Sequence, residues 1–203
     1  MKKIALIAIL LIACAAAGRA QESRQDISLS GTVLSEPYIG ASTDVYVHAT
    51  PAYGALLSYR FMLTPSSAIE ANYGLTYQNS ITYHTNPLTL HILTRTHEAS
   101  AAYVRSFNFR KYNPFLEVGP GAFIFVPIRN SGTSTIDAKQ QTNMGFVYGG
   151  GIAYEISPSF DIRTEFRNMV VKVPTFGLTS APNLTTNKWY NIYEPVLGVA
   201  YHF

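Results

Sequence analysis

The chain is short of cysteine, of charge and of long apolar runs. Cys14 is its one cysteine in 203 residues, so no intrachain disulfide can hold the fold together. Charged residues make up 13% and hydrophobic residues 47%, which is about half the charged share usual in a soluble globular domain. Of the 15 basic residues, Lys2, Lys3 and Arg19 fall in the first twenty, which leaves 12 to balance 12 acidic residues that all lie beyond position 20. A neutral chain with scattered charges has no electrostatic footprint for nucleic acid. Beyond residue 20 no apolar run reaches the roughly 18 residues that a membrane-spanning helix needs. Phosphate-binding and hydrolase motifs are also missing: there is no Walker loop, no zinc-protease His-Glu-x-x-His helix and no nucleophile elbow. Gly149-Gly150-Gly151 lies within a strand pattern and lacks the following helix that phosphate binding requires.

The first twenty residues carry Lys2-Lys3, an apolar stretch from Ile4 to Ala17, and then Gly18-Arg19-Ala20. That order is a secretory signal peptide over 1–20, with cleavage before Gln21 and residues 21–203 as the exported part. Leu11-Ile12-Ala13-Cys14 also fits a lipoprotein box, with Ala13 where Gly is usual before the cysteine. Cleavage after Ala20 is the expected route, and lipidation at Cys14 the minor alternative.

After the leader, polar and apolar residues alternate nearly throughout, the signature of strands with two chemically different faces. In 68–78, Ile69, Ala71, Tyr73, Leu75 and Tyr77 oppose Glu70, Asn72, Gly74, Thr76 and Gln78. In 160–172, Phe160, Ile162 and Phe166 oppose Asp161, Arg163, Glu165 and Arg167. Strands are expected at 25–34, 52–63, 68–78, 92–107, 114–126, 142–156, 160–172 and 189–203, most of them long enough for a tilted transmembrane strand. Short connections at 64–67, 108–113 and 157–159 alternate with long ones at 35–51, 79–91, 127–141 and 173–188. Strict alternation puts every long loop on one side and both termini on the other, which predicts an all-β, eight-stranded antiparallel up-and-down transmembrane barrel with four long extracellular loops.

In such a barrel the apolar face points outward. Tyr53, Tyr59, Tyr73, Tyr77, Tyr154, Trp189, Tyr193 and Tyr201 share the parity of the aliphatic residues and gather towards strand ends, as an interfacial girdle requires. Gly54, Gly74, Gly119, Gly121, Gly145, Gly149, Gly151 and Gly198 have the opposite parity and leave room in a narrow lumen. Arg60, Glu70, Glu117, Glu155, Arg163, Glu165, Arg167 and Glu194 point there too. Buried charges persist only when paired, so these residues are expected to form a structural network that plugs a polar lumen. In the fourth strand Ala99, Ala101, Tyr103 and Phe107 are placed outward, with Arg95, His97 and Arg105 at the rims; the opposite parity, which would put Glu98 at the outer interface, and a bulge that serves both halves stay open.

The chain ends Leu197-Gly198-Val199-Ala200-Tyr201-His202-Phe203. This ending resembles the C-terminal strand through which bacterial outer-membrane barrels are recognised by the barrel-assembly machinery; the resemblance makes Val199, Tyr201 and Phe203 the assembly signal. Pro114-Phe115-Leu116-Glu117-Val118-Gly119-Pro120-Gly121-Ala122 and Ile162-Arg163-Thr164-Glu165-Phe166-Arg167 are similar to strands of the small outer-membrane barrel superfamily that includes the OmpA membrane domain, OmpX, OmpW and opacity-like proteins. The resemblance covers essentially all of the exported part. It implies an outer-membrane location, contact with lipid and lipopolysaccharide, and a role among structural anchors, adhesins, small-molecule conduits and enzymes.

Among those roles, the residues favour a non-enzymatic barrel that acts in membrane structure or in surface interaction, with an extracellular ligand for its loops. No catalytic, cofactor-binding or metal-binding residue is assigned. A barrel-borne lipid A-modifying enzyme would need a His and a Ser side by side, whereas His97 and Ser100, three apart in a strand, point to opposite faces. His48, His84 and His91 belong to loops or their edges, and His84, His91 and His97 have irregular spacing for a metal. An OmpW-like conduit for small apolar molecules would need an apolar lumen, which Arg163, Glu165 and Arg167 oppose. His202 is expected to meet Asp26 at the rim.

Overall fold

A computed structural model describes residues 24–42, 45–85, 88–132, 138–177 and 188–203. The expected leader and Cys14 lie outside the described residues, as do 133–137 of the third expected loop and 178–187 of the fourth. Ten strands appear among the described residues: β1 (Gln25–Leu34), β2 (Ile39–Ser42), β3 (Val45–Ala49), β4 (Ala52–Thr64), β5 (Ser67–Thr85), β6 (Leu88–Ser106), β7 (Tyr112–Gly132), β8 (Gln141–Ser157), β9 (Phe160–Lys172) and β10 (Trp189–His202).

Eight of them close into an antiparallel barrel in the order β1, β4, β5, β6, β7, β8, β9, β10, with β10 returning to β1 from Asp26↔His202 to Thr32↔Val196. Both termini and the tight turns therefore share one end. Each strand carries its alternation into space as expected for a lipid-facing wall: Leu29 is 65% exposed and Phe146 58%, whereas Glu70 is 1% exposed and Arg167 0%. That arrangement would be unstable in water and is the stable one in hydrocarbon, where backbone groups must all pair within a closed sheet.

The long connections are shorter than the sequence suggested, because strand pairing continues past the girdle. The expected loop at 79–91 is largely sheet: Asn79↔Thr94 through Thr85↔Leu88 join β5 to β6. Within 35–51, β2 and β3 form a hairpin that pairs along the outer end of β5, from Val45↔Thr85 to Ala49↔Ile81. Within 127–141, β7 runs on to Gly132. These segments read as loops because residues such as Ser80, Thr82, His84, Thr89 and His91 line their outward faces, a composition that marks loops in water but also suits sheet standing above a membrane.

A bulge in β5 between Thr76 and Asn79 explains how the extension is filled. Below it the even residues point inward; above it Asn79, Ile81 and Tyr83 do. One inserted residue thus exchanges the two faces. The lumen consequently has two levels. Charged side chains fill its lower and middle parts, and a cluster including Leu34, Ile81, Tyr83, Ile92, Phe123, Phe125, Phe176 and Ile192 fills the extracellular part. The expectation of a polar plug is thereby corrected: polar at the membrane level, apolar above it. Where the two levels meet, beside Leu34, Met169, Glu98 and Glu194, lies a void of about 10 Å³, room for about one water.

Several glycines of the wall have no room for a side chain, Gly119 least of all. A Cβ on Gly119 would lie 1.9 Å from the Ala101 carbonyl oxygen and 2.6 Å from the Ala102 Cα, both backbone atoms. The β6–β7 pairing is interrupted there, stepping from Ser100↔Gly121 to Tyr103↔Val118, beside Pro120, which has no N–H to donate. Gly119→Val is expected to destabilise the barrel by about 1–3 kcal/mol or more. The measurement is urea unfolding in detergent micelles, with loss of heat-modifiable gel migration as the extreme outcome; an unchanged midpoint would show that the strands separate easily here.

Candidate functional site

Inside the barrel the charges converge on the guanidiniums of β4 and β9. Arg167, on β9, donates to Glu98 Oε1 on β6 at 2.6 Å, to Glu117 Oε1 on β7 at 3.0 Å and to Glu194 Oε2 on β10 at 2.6 Å. Arg163, two inward positions nearer the periplasmic end, donates to Asp26 Oδ1 on β1 at 3.1 Å and to Glu70 Oε2 on β5 at 3.3 Å. Arg60, on β4, donates from Nε to the same Glu70 oxygen at 2.6 Å. Two hydroxyl groups add further bonds: Thr32 donates to Glu194 at 2.8 Å and Ser100 to Glu98 at 2.6 Å. The barrel strands β1, β4, β5, β6, β7, β9 and β10 thus each supply a charged member.

The remaining barrel strand, β8, supplies space. Its inward Gly149 and Gly151 lie against β9; a Cβ on Gly151 would come within 2.6 Å of the Glu165 Cβ and 2.7 Å of the Phe115 ring. Phe115 uses that room to reach the arginines, its ring centroid 4.7 Å from the Arg60 Cζ and 5.7 Å from the Arg163 Cζ. A guanidinium over an aromatic face gains electrostatic attraction without needing another anion.

Of the expected network members, the structure brings Arg60, Glu70, Glu117, Arg163, Arg167 and Glu194 into ion pairs. Glu165 is buried in the same lumen but makes no ion pair among the described residues. Glu155 is not part of the network: it stands half-buried at the periplasmic end opposite Asp161, away from the guanidiniums. Asp26 and Glu98 complete the network, beyond the residues expected in it. Glu98 follows from the parity of the fourth strand, whose odd residues do point outward; the sequence pattern brings Asp26 only to His202. That imidazole lies 2.9 Å from Asp161 and 4.0 Å from Asp26. Phe115 gave no signal, because an aromatic at an inward position looks like a lipid-facing residue out of register.

Glu70, Glu117 and Glu165 each bring a carboxylate oxygen within 4.8 Å of the others, the one such group among the described residues that could share a cation. Arginines already match Glu70 and Glu117. His97 and Ser100 are separated by the barrel wall: His97 faces outward and meets the Tyr73 hydroxyl at 2.8 Å, whereas Ser100 points inward to Glu98. At the C-terminal end Val199 is lipid-facing, and Tyr201 packs between Phe160 and Phe203 with ring centroids 5.1 and 6.0 Å away.

At the extracellular mouth, Glu36, between β1 and β2, accepts a hydrogen bond from Asn79 Nδ2 at 2.5 Å. Burial pushes its carboxyl from the ordinary 4.5 up to about 7, against the opposing effect of that bond. Because the folded value lies above the unfolded one, the stabilisation by this group is fully present below about pH 4.5 and lost as the pH rises through about 7.

Comparison with known proteins adds the family. The model of the outer membrane protein beta-barrel domain matches residues 5–203. Among solved structures, the fold is similar to Neisserial surface protein A, at 14% identity over 89% of this chain and 98% of that one, with a TM-score of 0.60. It is also similar to Ail, the attachment invasion locus protein of Yersinia pestis, at 14% identity over 90% and 100% of the two chains and a TM-score of 0.56. The outer membrane protein OprG from Pseudomonas aeruginosa matches at 8% identity over 90% and 97%, with a TM-score of 0.65. No curated protein matches the chain.

Two outcomes are expected of this site. Arg167→Met leaves Glu98, Glu117 and Glu194 buried without their cation and should cost about 3–5 kcal/mol in unfolding free energy, read from denaturant titration in micelles; a cost below 1 kcal/mol would mean that the lumen relaxes freely. Glu36→Gln should remove the acid-to-neutral loss of protection at the mouth, measured by hydrogen exchange of amides in 35–50 between about pH 5 and 8; persistence of the wild-type slope would assign it to another group.

Proposed function

Because this chain belongs to the outer membrane β-barrel domain family, we propose that it is a sealed, non-enzymatic barrel of the outer membrane, which works in membrane structure and in surface interaction through the sheet and loops it raises above the bilayer. The observation that carries this reading is the double filling of the lumen. Arg167 is fully buried among its carboxylates, and above it Phe123, Phe125, Phe176 and Ile192 are fully buried too. A conduit would have to break both levels, first desolvating unpaired charges and then opening a packed apolar core. The separation of His97 from Ser100 by the wall supports the non-enzymatic part.

The extension supports the interaction role. Two hairpins, β2–β3 and the outer ends of β5 and β6, join in one sheet that the filled lumen backs with apolar packing. Surfaces used for recognition are commonly loops on a rigid scaffold, and a rigid surface loses less conformational entropy on binding.

The test combines conductance with a surface assay. In planar bilayers the purified protein should show no steady conductance; a stable open level would replace this reading with a conduit. On whole cells, shortening 79–91 to a tight turn should leave the barrel heat-modifiable and reduce binding of the cells to immobilised extracellular ligands. Unaltered binding by the shortened protein would leave the purely structural role standing and defeat the interaction role.

A further inference from the structure

The outside of the barrel is not the same all round. Four of the five histidines, His48, His84, His91 and His97, lie on the outward wall of β3, β5 and β6. Their neighbours change chemistry with height. Lowest on the wall is Tyr103, whose hydroxyl donates to Ser67 at the periplasmic turn at 2.9 Å, and above it the outward residues are Ala71, Ala101 and Ala99. Next outward, Tyr73 meets His97 at 2.8 Å, and the Arg95 guanidinium lies 5.6 Å from the centre of the Tyr77 ring. Above the girdle, Thr82 and His91 are joined at 2.9 Å and His84 and Thr89 at 2.8 Å. Beside them Tyr38, Tyr46 and His84 form a continuous stack, with ring centroids 5.1 and 4.6 Å apart. No carboxylate faces outward on these three strands among the described residues, since Glu70 and Glu98 both point into the lumen.

Apolar below, cationic in the middle, aromatic and hydroxyl-bearing above is also the order of parts in a phosphorylated glycolipid standing upright in the outer leaflet. We propose that the outward wall of β3, β5 and β6 is a binding site for such a glycolipid, with acyl chains against Ala99 and Ala101, a phosphate at Arg95, and sugar rings on the face made by Tyr46, His84, Thr82 and His91. Arg95 is held by the Tyr77 ring, so its donors are aimed without a competing anion. Imidazoles, hydroxyls and ring faces are the groups that satisfy sugar hydroxyls and pack on sugar C–H faces. The threonine–histidine pairs hold these groups in place, which lowers the ordering cost of binding. The proposal rests on the outer-membrane placement of the barrel. It is independent of whether the extension also meets a partner from outside.

The test places the full barrel in phosphatidylcholine nanodiscs and titrates lipid A carrying two core sugars, with amide NMR shifts mapping the contact and native mass spectrometry counting bound lipid. Heat-modifiable migration checks that each variant is folded. The expected result is saturable binding with shifts confined to β3, β5 and β6. Arg95→Gln should weaken binding about tenfold, the effect of one charge-assisted contact, with Arg95→Lys retaining most of it. The His84→Ala/His91→Ala pair should weaken binding of the sugar-bearing lipid but not of lipid A without core sugars, whereas removal of the phosphates should abolish the Arg95 effect. Lys172→Gln, on the opposite wall at β9, should bind as the wild type does. Shifts spread evenly around the barrel, equal binding of phosphatidylglycerol, or wild-type affinity in Arg95→Gln would each overturn the site.

Discussion

Three buried guanidiniums set the terms for the rest of this barrel. Arg60, Arg163 and Arg167 are out of reach of water, and a charge so placed is tolerable only if anions and hydrogen-bond acceptors replace its hydration. The acceptors come from β1, β5, β6, β7 and β10, so the requirement reaches around the wall. It also acts on register: sliding any of these strands by one residue would turn its carboxylate out into lipid and bring a bulky apolar side chain inside. Backbone pairing alone is nearly indifferent to such a slip. The network makes one register much better than its neighbours, and the glycines of β8 supply the room in which Phe115 and Glu165 fit beside it.

Above the network the logic reverses within the same strands. The β5 bulge exchanges the faces, and from that point the interior is apolar and the exterior carries threonines, tyrosines and histidines. This is the ordinary arrangement of a protein in water, and it begins where the girdle residues Tyr77 and Trp189 mark the edge of the hydrocarbon. One sheet therefore serves two solvents in succession. The extracellular core also fills the lumen a second time, which gives the sheet standing above the bilayer an apolar support.

The asymmetry of the exterior gives that support a direction. Most of the lipid-facing wall is aliphatic or aromatic, with grooves where Gly31 and Gly150 leave the backbone bare beside Pro195. The β3–β5–β6 side instead carries the polar stripe. Such a division needs no change in the network, because inward and outward residues alternate and can be specified separately along each strand.

By itself the sequence determined the eight membrane strands, their up-and-down order and the inversion of faces, because each of these depends on parity and spacing along a single strand. Arg60, Glu70, Glu117, Arg163, Arg167 and Glu194 could be assigned inward on that basis. Which carboxylate met which arginine, the inclusion of Asp26 and Glu98, the exclusion of Glu155 and the role of Phe115 depended on heights and angles between strands that are remote in the chain. The same holds for the sheet hidden in 79–91: a polar outward face looks like a loop until a bulge, which is a relation between two strands, turns the apolar residues inward. Periodicity along one strand is written locally, whereas register, bulges and the meeting of side chains across a lumen exist only once the cylinder closes.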